Sequence, residues 1–167
     1  MPDELALLWA PWRIGYILGP REKDCVFCQK GAADENANED NLVLERGAYA
    51  YVLMNTYPYN PGHLLVTPYE HVAQLGEVPA ASLHEMMDMT VRWQQRLGAV
   101  TKAQGYNIGL NLGAVAGAGI TEHLHFHIVP RWQGDTNFMS TVSDTRVISQ
   151  SLNELYWKLL KGIVDDE

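Results

Sequence analysis

Three of the six histidines in this chain stand at alternate positions in one short segment, TEHLHFHIVPRW, at residues 121–132. Side chains two residues apart on a β-strand point to the same face of a sheet. His123, His125 and His127 are therefore expected on one face, while the apolar residues between them face the other way. That alternation predicts a strand with a packed core behind it and a row of imidazoles in front.

Strand geometry limits what three such histidines can do together. Positions two apart lie about 6.6 Å apart and positions four apart about 13 Å, whereas zinc–nitrogen bonds are about 2.0–2.1 Å. One ion therefore cannot hold the outer pair, and at most two of the three share a metal. A purely structural role is disfavoured because three adjacent imidazoles cannot all be charged without repulsion.

A third interpretation is nucleophilic catalysis on phosphorus. A neutral imidazole attacks a phosphate and forms a phosphoramidate that then breaks down. The middle residue, His125, is the candidate nucleophile, and a backbone carbonyl is expected to hold its other nitrogen. His127 is the candidate donor to the phosphate oxygens.

Charge and composition narrow the partners. The net charge of −8 disfavours an extended nucleic acid partner, and no basic stripe reverses it locally. No run reaches the roughly 18 apolar residues that span a membrane, and the N-terminus lacks a basic leader, so a cytoplasmic protein is expected. The only two cysteines, Cys25 and Cys28, suggest either metal ligands or a redox dithiol.

The chain is expected to form a single domain over residues 1–167. Its predicted fold is α+β, an antiparallel sheet backed by a long helix. An aromatic arm is expected over residues 1–24, where Trp9, Trp12 and Tyr16 pack on the core or on a second subunit. The predicted elements are an exposed loop at 31–41, strands at 48–55, 63–68 and 106–113, the histidine strand, and helices at 80–105 and about 144–163.

The helix at 80–105 is the clearest periodic segment. Apolar positions recur every three or four residues, and Gly105 is the predicted stop. The predicted buried face consists of Leu83, Met86, Met87, Thr90, Trp93, Leu97 and Val100. Upstream of the histidines, the glycine-rich segment 113–119 is predicted to cradle an anion, although glycine-rich turns between strands are common without a ligand.

At this level of detail the chain resembles a known family. The stretches GHLLVTP and HLHFHIVPRW are similar to the histidine triad family over most of residues 25–135. The stretches LWAPWR and VPRWQGDTNF further resemble its bacterial diadenosine-polyphosphate phosphorylase and hydrolase branch. The resemblance implies a homodimer with an adenine pocket, and a reaction that passes through a nucleotidyl-histidine.

The resemblance also implies roles for individual residues. The nucleophile and donor fall on His125 and His127. The other substrate-binding positions that the resemblance implies are Asn55 for the ribose, His63 near the triad, Asn111 at the phosphates, and Trp132. Gly117 and Gly119 are predicted to bind the substrate because they belong to the glycine-rich segment upstream of the histidines. A structural zinc is implied on Cys25, Cys28, His71 and His123, with His63 as an alternative to His71.

One feature departs from the family pattern. Many members carry a serine or glutamine three or four residues before the first triad histidine, where this chain has Ile120 and Gly119. This leaves the preferred leaving group and acceptor open.

The expected function is that of a hydrolase or phosphorylase acting on (di)nucleoside polyphosphates such as diadenosine tetraphosphate. The alternatives are a nucleoside phosphoramidate hydrolase, a non-catalytic nucleotide-binding or scaffolding protein, and a metal-storing or metal-sensing protein.

Overall fold

A five-stranded antiparallel sheet forms the centre of the molecule. The computed structural model describes residues 25–135 and 151–162. The strands are β1 (Val43–Arg46), β2 (Ala50–Met54), β3 (Leu64–Pro68), β4 (Gly105–Leu110) and β5 (Phe126–Arg131). Their order is β1-β2-β3-β5-β4, so β5 is an interior strand and β4 lies at an edge. The predicted α+β architecture with an antiparallel sheet is confirmed.

Four helices accompany the sheet in the described residues. They are α1 (Val26–Ala32), α2 (Asn38–Asn41), α3 (Ala80–Thr101) and α4 (Leu152–Lys161), with 3₁₀ turns at Glu35–Ala37, Leu75–Glu77 and Ala114–Ala116. None of these helices is long and apolar enough to cross a bilayer. The predicted aromatic arm at 1–24 lies outside the described residues, as does the 144–150 part of the predicted last helix.

The long helix α3 covers one face of the sheet. Its buried residues Met86, Trp93 and Leu97 pack in one cluster with Val52 and Ile128 from the strands. Burial of this apolar stripe is the main source of stability for such a helix, because its propensity alone contributes little in water.

Two details of the helix prediction were wrong. Met87 is 43% exposed, and Met89, two positions later, is 1% exposed and packs in the core instead. The helix ends at Thr101 because Lys102 adopts a left-handed conformation with φ +52°, and Gly105 is already the first residue of β4.

The other face of the sheet is covered only in part. Under α1, Phe27 packs with Val43, Tyr51, Leu53 and Leu65 in a second, smaller cluster. Alternate residues on β2 divide between the two faces, as a strand requires. The part of this second face that lies over β4 and β5 is the part that positions the site described below.

Two local predictions need correction. The segment 31–41 was predicted as a loop, but it contains the end of α1, a 3₁₀ turn and α2. Strand β1 was not predicted. It follows Leu42, which has φ +57°, and its pairing with β2 is interrupted by a register shift between Val43 and Glu45. The predicted hairpin of β2 and β3 is confirmed.

Candidate active site and metal site

The histidine segment leaves the sheet partway along its length. Strand β5 begins at Phe126, so His123 and His125 precede the regular strand that was predicted to contain them. Upstream of Phe126 the chain turns to follow residues 67–72. The N–H of Leu124 donates to the carbonyl of Val72 at 2.7 Å, and the Thr67 hydroxyl donates to the carbonyl of Leu124 at 2.9 Å. This divergence separates the first histidine from the other two.

His123 joins a cluster of potential metal ligands. The ligand atoms of Cys25, Cys28, His71 and His123 all lie within 4.8 Å of one another. Cys25 Sγ lies 3.3 Å from His123 Nδ1, and Cys28 Sγ lies 3.3 Å from His71 Nδ1. Cys25 immediately precedes α1 and Cys28 lies in its first turn, which brings the two thiols to the same point.

The orientation of His123 suits a ligand. Its Nε2 lies 3.0 Å from the carbonyl of Pro68, which can only accept, so Nε2 carries the proton and Nδ1 faces the thiols with a lone pair. A tetrahedral zinc with ordinary bond lengths separates a sulfur and a nitrogen ligand by about 3.5 Å. The observed sulfur–nitrogen distances of 3.3–3.5 Å match that value. These four residues therefore fit the predicted metal set.

His125 is held with one nitrogen bonded. Its Nδ1–H donates to the carbonyl of His123 at 2.8 Å, which confirms the predicted backbone acceptor. The ring of Phe27 lies 4.8 Å away between centroids. Burial lowers the pKa of His125, so the ring is neutral near pH 7. With the proton on Nδ1, Nε2 carries a lone pair and is the nucleophilic nitrogen.

His63 determines the tautomer of His127. The backbone N–H of Tyr59 donates to Nδ1 of His63 at 3.1 Å, so this nitrogen has no proton and the proton lies on Nε2. That Nε2–H donates to Nδ1 of His127 at 2.8 Å. The neutral His127 ring therefore carries its own proton on Nε2.

The Nε2 atom of His127 is buried and has no hydrogen-bond partner among the described residues. A buried donor without a partner is costly, so this N–H requires a partner such as a water, an ion or a substrate oxygen. Burial and the nearby His125 lower the pKa of His127 to about 4, so this nitrogen is a neutral N–H donor near pH 7. Its ring centroid lies 4.9 Å from that of His125.

A cleft of about 460 Å³ opens beside His127. It lies over β4 and β5, and its polar lining includes Tyr59, Asn107, Asn111 and Arg131. The volume is within the usual range for a small-molecule site.

The other predicted substrate residues lie at different distances from this cleft. Asn111 lines the cleft, and the Nδ2 atom of Asn111 is 3.8 Å from where a Cβ of Gly117 would lie. Asn55 lies beside His63, with Asn55 Nδ2 at 3.2 Å from His63 Nδ1. Trp132 donates its indole N–H to the carbonyl of Thr101 and does not line the cleft. Gly119 lies in the loop between the 3₁₀ turn at Ala114–Ala116 and His123.

Tyr59 was not among the site residues predicted from the sequence. Its ring lies 4.7 Å from that of His63 and 5.9 Å from that of His127, the latter nearly parallel at 19°. The stretch TYPYNPG reads as a turn because of its prolines and glycine, and nothing in its composition indicates a contact with residue 127. The only indication in the sequence that Tyr59 lies near the site is its position four residues before His63.

With this geometry established, comparison with known proteins identifies the family. The HIT domain model matches residues 35–134. The chain belongs to the HIT family. It is 38% identical over 158 residues to an AP-4-A phosphorylase of Mycobacterium tuberculosis, an alignment that covers 91% of this chain and 81% of the relative. An uncharacterized HIT-like protein of Methanocaldococcus jannaschii is 33% identical over 66% of this chain and 81% of its own.

Solved structures agree on the HIT fold. A zinc-bound histidine triad family protein from Mycobacterium smegmatis superposes with a TM-score of 0.65 at 24% identity, covering 83% of this chain and 92% of the other. A histidine triad nucleotide-binding protein from Sulfolobus tokodaii gives a TM-score of 0.59 at 26% identity, covering 83% and 88%.

Proposed function

We propose that this HIT protein is a phosphorylase of diadenosine tetraphosphate that works through a nucleotidyl-histidine on His125. The observation that carries the proposal is the pair of opposite tautomers: His125 presents a lone pair on Nε2 while its neighbour His127 presents a proton on Nε2. A nucleophile beside a donor is what transfer of a nucleotidyl group requires. The named activity of the mycobacterial relative agrees with it.

The first half-reaction forms one bond and breaks one. Nε2 of His125 attacks the α-phosphorus of one adenosine, and the bond from that phosphorus to the bridging oxygen breaks. ATP leaves with the electron pair of that bond, and AMP stays bonded to His125. The proton on His127 Nε2 lies where it can stabilise the oxygen charge that develops, with His63 holding its tautomer.

In the second half-reaction, inorganic phosphate attacks the same phosphorus. The nitrogen–phosphorus bond breaks, ADP is released, and His125 regains its lone pair. Phosphate is proposed as the acceptor because the relative with 38% identity carries the name phosphorylase. Three residues before His123, Ile120 packs against the apolar cluster of Phe27, so it offers the leaving group no polar contact.

The substrate residues implied by the sequence are retained as proposals. Asn55 would contact the ribose of the adenosine that becomes bonded to His125. Asn111, Gly117 and Gly119 would surround the phosphates, since Asn111 lines the cleft beside Gly117. Trp132 is the weakest of these assignments, because its indole is bonded to Thr101.

The metal site is proposed to hold a structural zinc on Cys25, Cys28, His71 and His123. Two thiolates and two imidazoles close a tetrahedral site and leave no position for substrate. When bound, the zinc would fix α1 and residues 67–72 to the histidine segment, and so would hold the His123 carbonyl that orients His125.

A homodimer is also proposed. Within residues 25–135 and 151–162 strand β4 is an edge of the sheet, and the outer hydrogen-bonding groups of an edge strand can pair with another strand. Beside it Leu112 and Val115 are 39% and 105% exposed. Covering this strip with a second copy would remove both an open edge and apolar surface from water.

Product analysis tests the proposed function. The metal-loaded protein is incubated with diadenosine tetraphosphate, with and without inorganic phosphate. ADP plus ATP formed only with phosphate is the expected result, together with radiolabelled AMP trapped on the wild type and not on His125→Asn. AMP and ATP formed in water alone would identify a hydrolase. An absence of turnover would favour a nucleotide-binding or scaffolding protein.

A further inference from the structure

The cleft over β4 and β5 extends well beyond the proposed catalytic histidines. Its volume is about 460 Å³, and His127 contributes one side chain among many. On β5 its lining continues from His127 through Val129 to Arg131, which follow one another on the same face. The distance from His127 to Arg131 along an extended strand is about 13 Å, so the cleft extends well away from the reacting nitrogen.

The cleft also lies away from Asn55, the residue proposed for the first ribose. Asn55 and His127 lie on opposite sides of the His63 ring, because Asn55 contacts its Nδ1 and His127 contacts its Nε2. Asn55 does not line the cleft. A nucleotide whose sugar lies at Asn55 therefore leaves the cleft open on the far side of the histidines.

The reaction places the leaving group on one side of phosphorus. An attacking nitrogen and a departing oxygen lie roughly in line at a transferred phosphoryl group. The second nucleotide of a dinucleoside polyphosphate must therefore extend away from Nε2 of His125. The cleft begins at the neighbouring donor, His127, and its size suits a nucleotide.

Tyr59 supplies an aromatic surface in this cleft. Its ring stacks near His127, lines the cleft and remains 41% exposed. Stacking of a base on an aromatic side chain is worth about 1–3 kcal/mol and suits any base. No step of the phosphorylase mechanism requires this ring.

Donor groups complete the lining. Arg131 donates to Oδ1 of Asn107 at 2.8 Å. Because this oxygen already accepts a hydrogen bond, Asn107 offers the cleft the two N–H donors of its amide group. Arg131 is itself held by Asp135 through two guanidinium nitrogens. Together with Nε2–H of His127, these donors suit phosphate and ribose oxygens.

We propose that this cleft is the subsite for the departing nucleoside triphosphate, with its base stacked on Tyr59. The inference rests on the proposed function and adds a specificity-determining residue to it. Tyr59 favours substrates that carry a second nucleoside over those whose phosphate chain ends free.

A matched pair of substrates tests this. Diadenosine tetraphosphate and adenosine 5′-tetraphosphate form the same adenylyl-His125, and they differ only in the far adenosine. The measured quantity is the ratio of kcat/KM for the first to that for the second. Tyr59→Ala is expected to lower this ratio about tenfold, through kcat/KM for the dinucleotide. Tyr59→Phe keeps the ring and is expected to retain the wild-type ratio.

Other outcomes overturn the subsite. Equal losses on both substrates would make Tyr59 a positioning residue for His127, and an unchanged ratio in Tyr59→Ala would remove it from recognition. If the wild type transforms neither compound, the proposed function fails separately. The dissociation constant of diadenosine tetraphosphate divided by that of adenosine 5′-tetraphosphate, measured by calorimetry in wild type and Tyr59→Ala, then decides the subsite: a rise of about tenfold in the variant supports it, and no change refutes it.

Discussion

Two groups of histidines lie side by side in this protein and have opposite chemistry. His123 belongs to a cluster with two thiols, while His125 and His127, within four residues of it, belong to a cluster of imidazoles at a cleft. All three rings are largely buried, and burial lowers the pKa of each. Burial and residue type therefore do not distinguish the two clusters.

The distinction lies in what the second nitrogen of each ring bonds. The carbonyl of Pro68 takes Nε2–H of His123 and directs Nδ1 to the thiols. The carbonyl of His123 takes Nδ1–H of His125 and leaves a lone pair on Nε2, the proposed nucleophile. His63 donates to Nδ1 of His127 and makes its Nε2 a donor. The bond that each ring makes thus leaves His123 with a lone pair toward the thiols, His125 with a lone pair on Nε2, and His127 with an N–H donor on Nε2.

The largest expected effects distinguish the roles of His125 and His123. His125→Asn should reduce kcat on diadenosine tetraphosphate by about 10⁴-fold or more, because the nucleophile is lost. Its zinc content and thermal midpoint should stay at wild-type values. His123→Asn should instead lose zinc and more than about 4 kcal/mol of stability, since a metal site contributes directly to folding.

Measuring metal content, unfolding and turnover on both variants checks this separation. Loss of zinc in His125→Asn would mean that the two clusters act as one unit. Normal zinc binding in His123→Asn would remove His123 from the ligand set.

A smaller effect separates two more distant histidines, His71 and His63. The sequence left either one as the fourth ligand, and the structure brings His71 to Cys28 and His63 to His127. His71→Asn should weaken zinc binding by more than about 100-fold. His63→Asn should leave zinc binding unchanged and lower kcat by about 100-fold, because His127 loses the partner that sets its tautomer.

Competition with a chromophoric chelator gives the first quantity, and initial rates on metal-loaded protein give the second. The two variants serve as controls for each other, since each replaces one histidine by the same residue. Parallel losses in both assays for either variant would contradict the assignment.

Much of this arrangement was accessible from local patterns. The alternation of residues 123–128 predicted that His125 and His127 lie side by side, but the strand that was predicted to contain all three histidines begins only at Phe126. The periodicity of α3 and the hairpin of β2 and β3 were predicted for the same reason, because each depends on neighbouring residues. The prediction for Met87 failed because this residue lies at the edge of the apolar stripe of the helix, where a shift of one or two positions changes a side chain from buried to exposed.

What could not be predicted depends on contacts between distant segments. The chain leaves the sheet at Leu124 because Val72 accepts its N–H, and no local pattern at residue 124 indicates a partner 52 residues away. The bond between His63 and His127 joins residues 64 apart. Tyr59 reaches the cleft only because its turn folds back over these two rings. Each case is tertiary pairing, which propensity and periodicity do not describe.

The smallest expected effect concerns acid stability and tests the state of His127 directly. The folded pKa of about 4 lies below the value near 6.5 expected for an unfolded histidine. Between these values the unfolded chain binds a proton that the folded protein does not, so His127 makes stability fall as the pH drops from about 6.5 to about 4 and has no such effect above that window. His127→Asn keeps an acceptor for His63 and removes this proton.

Urea unfolding of wild type and His127→Asn at several values between about pH 5 and pH 7 measures the difference. The number of protons taken up on unfolding should be smaller in the variant by nearly one at the middle of this range. Acid also releases metal from thiolates, but that contribution is common to both proteins and cancels in the comparison.

An unchanged pH dependence would mean that His127 is protonated in the folded protein. Its Nδ1 could then not accept from His63, and the ring would donate from both nitrogens. The two clusters would then differ in the charge of their rings and not in their tautomers, and the tautomer assignment of His127 would be wrong.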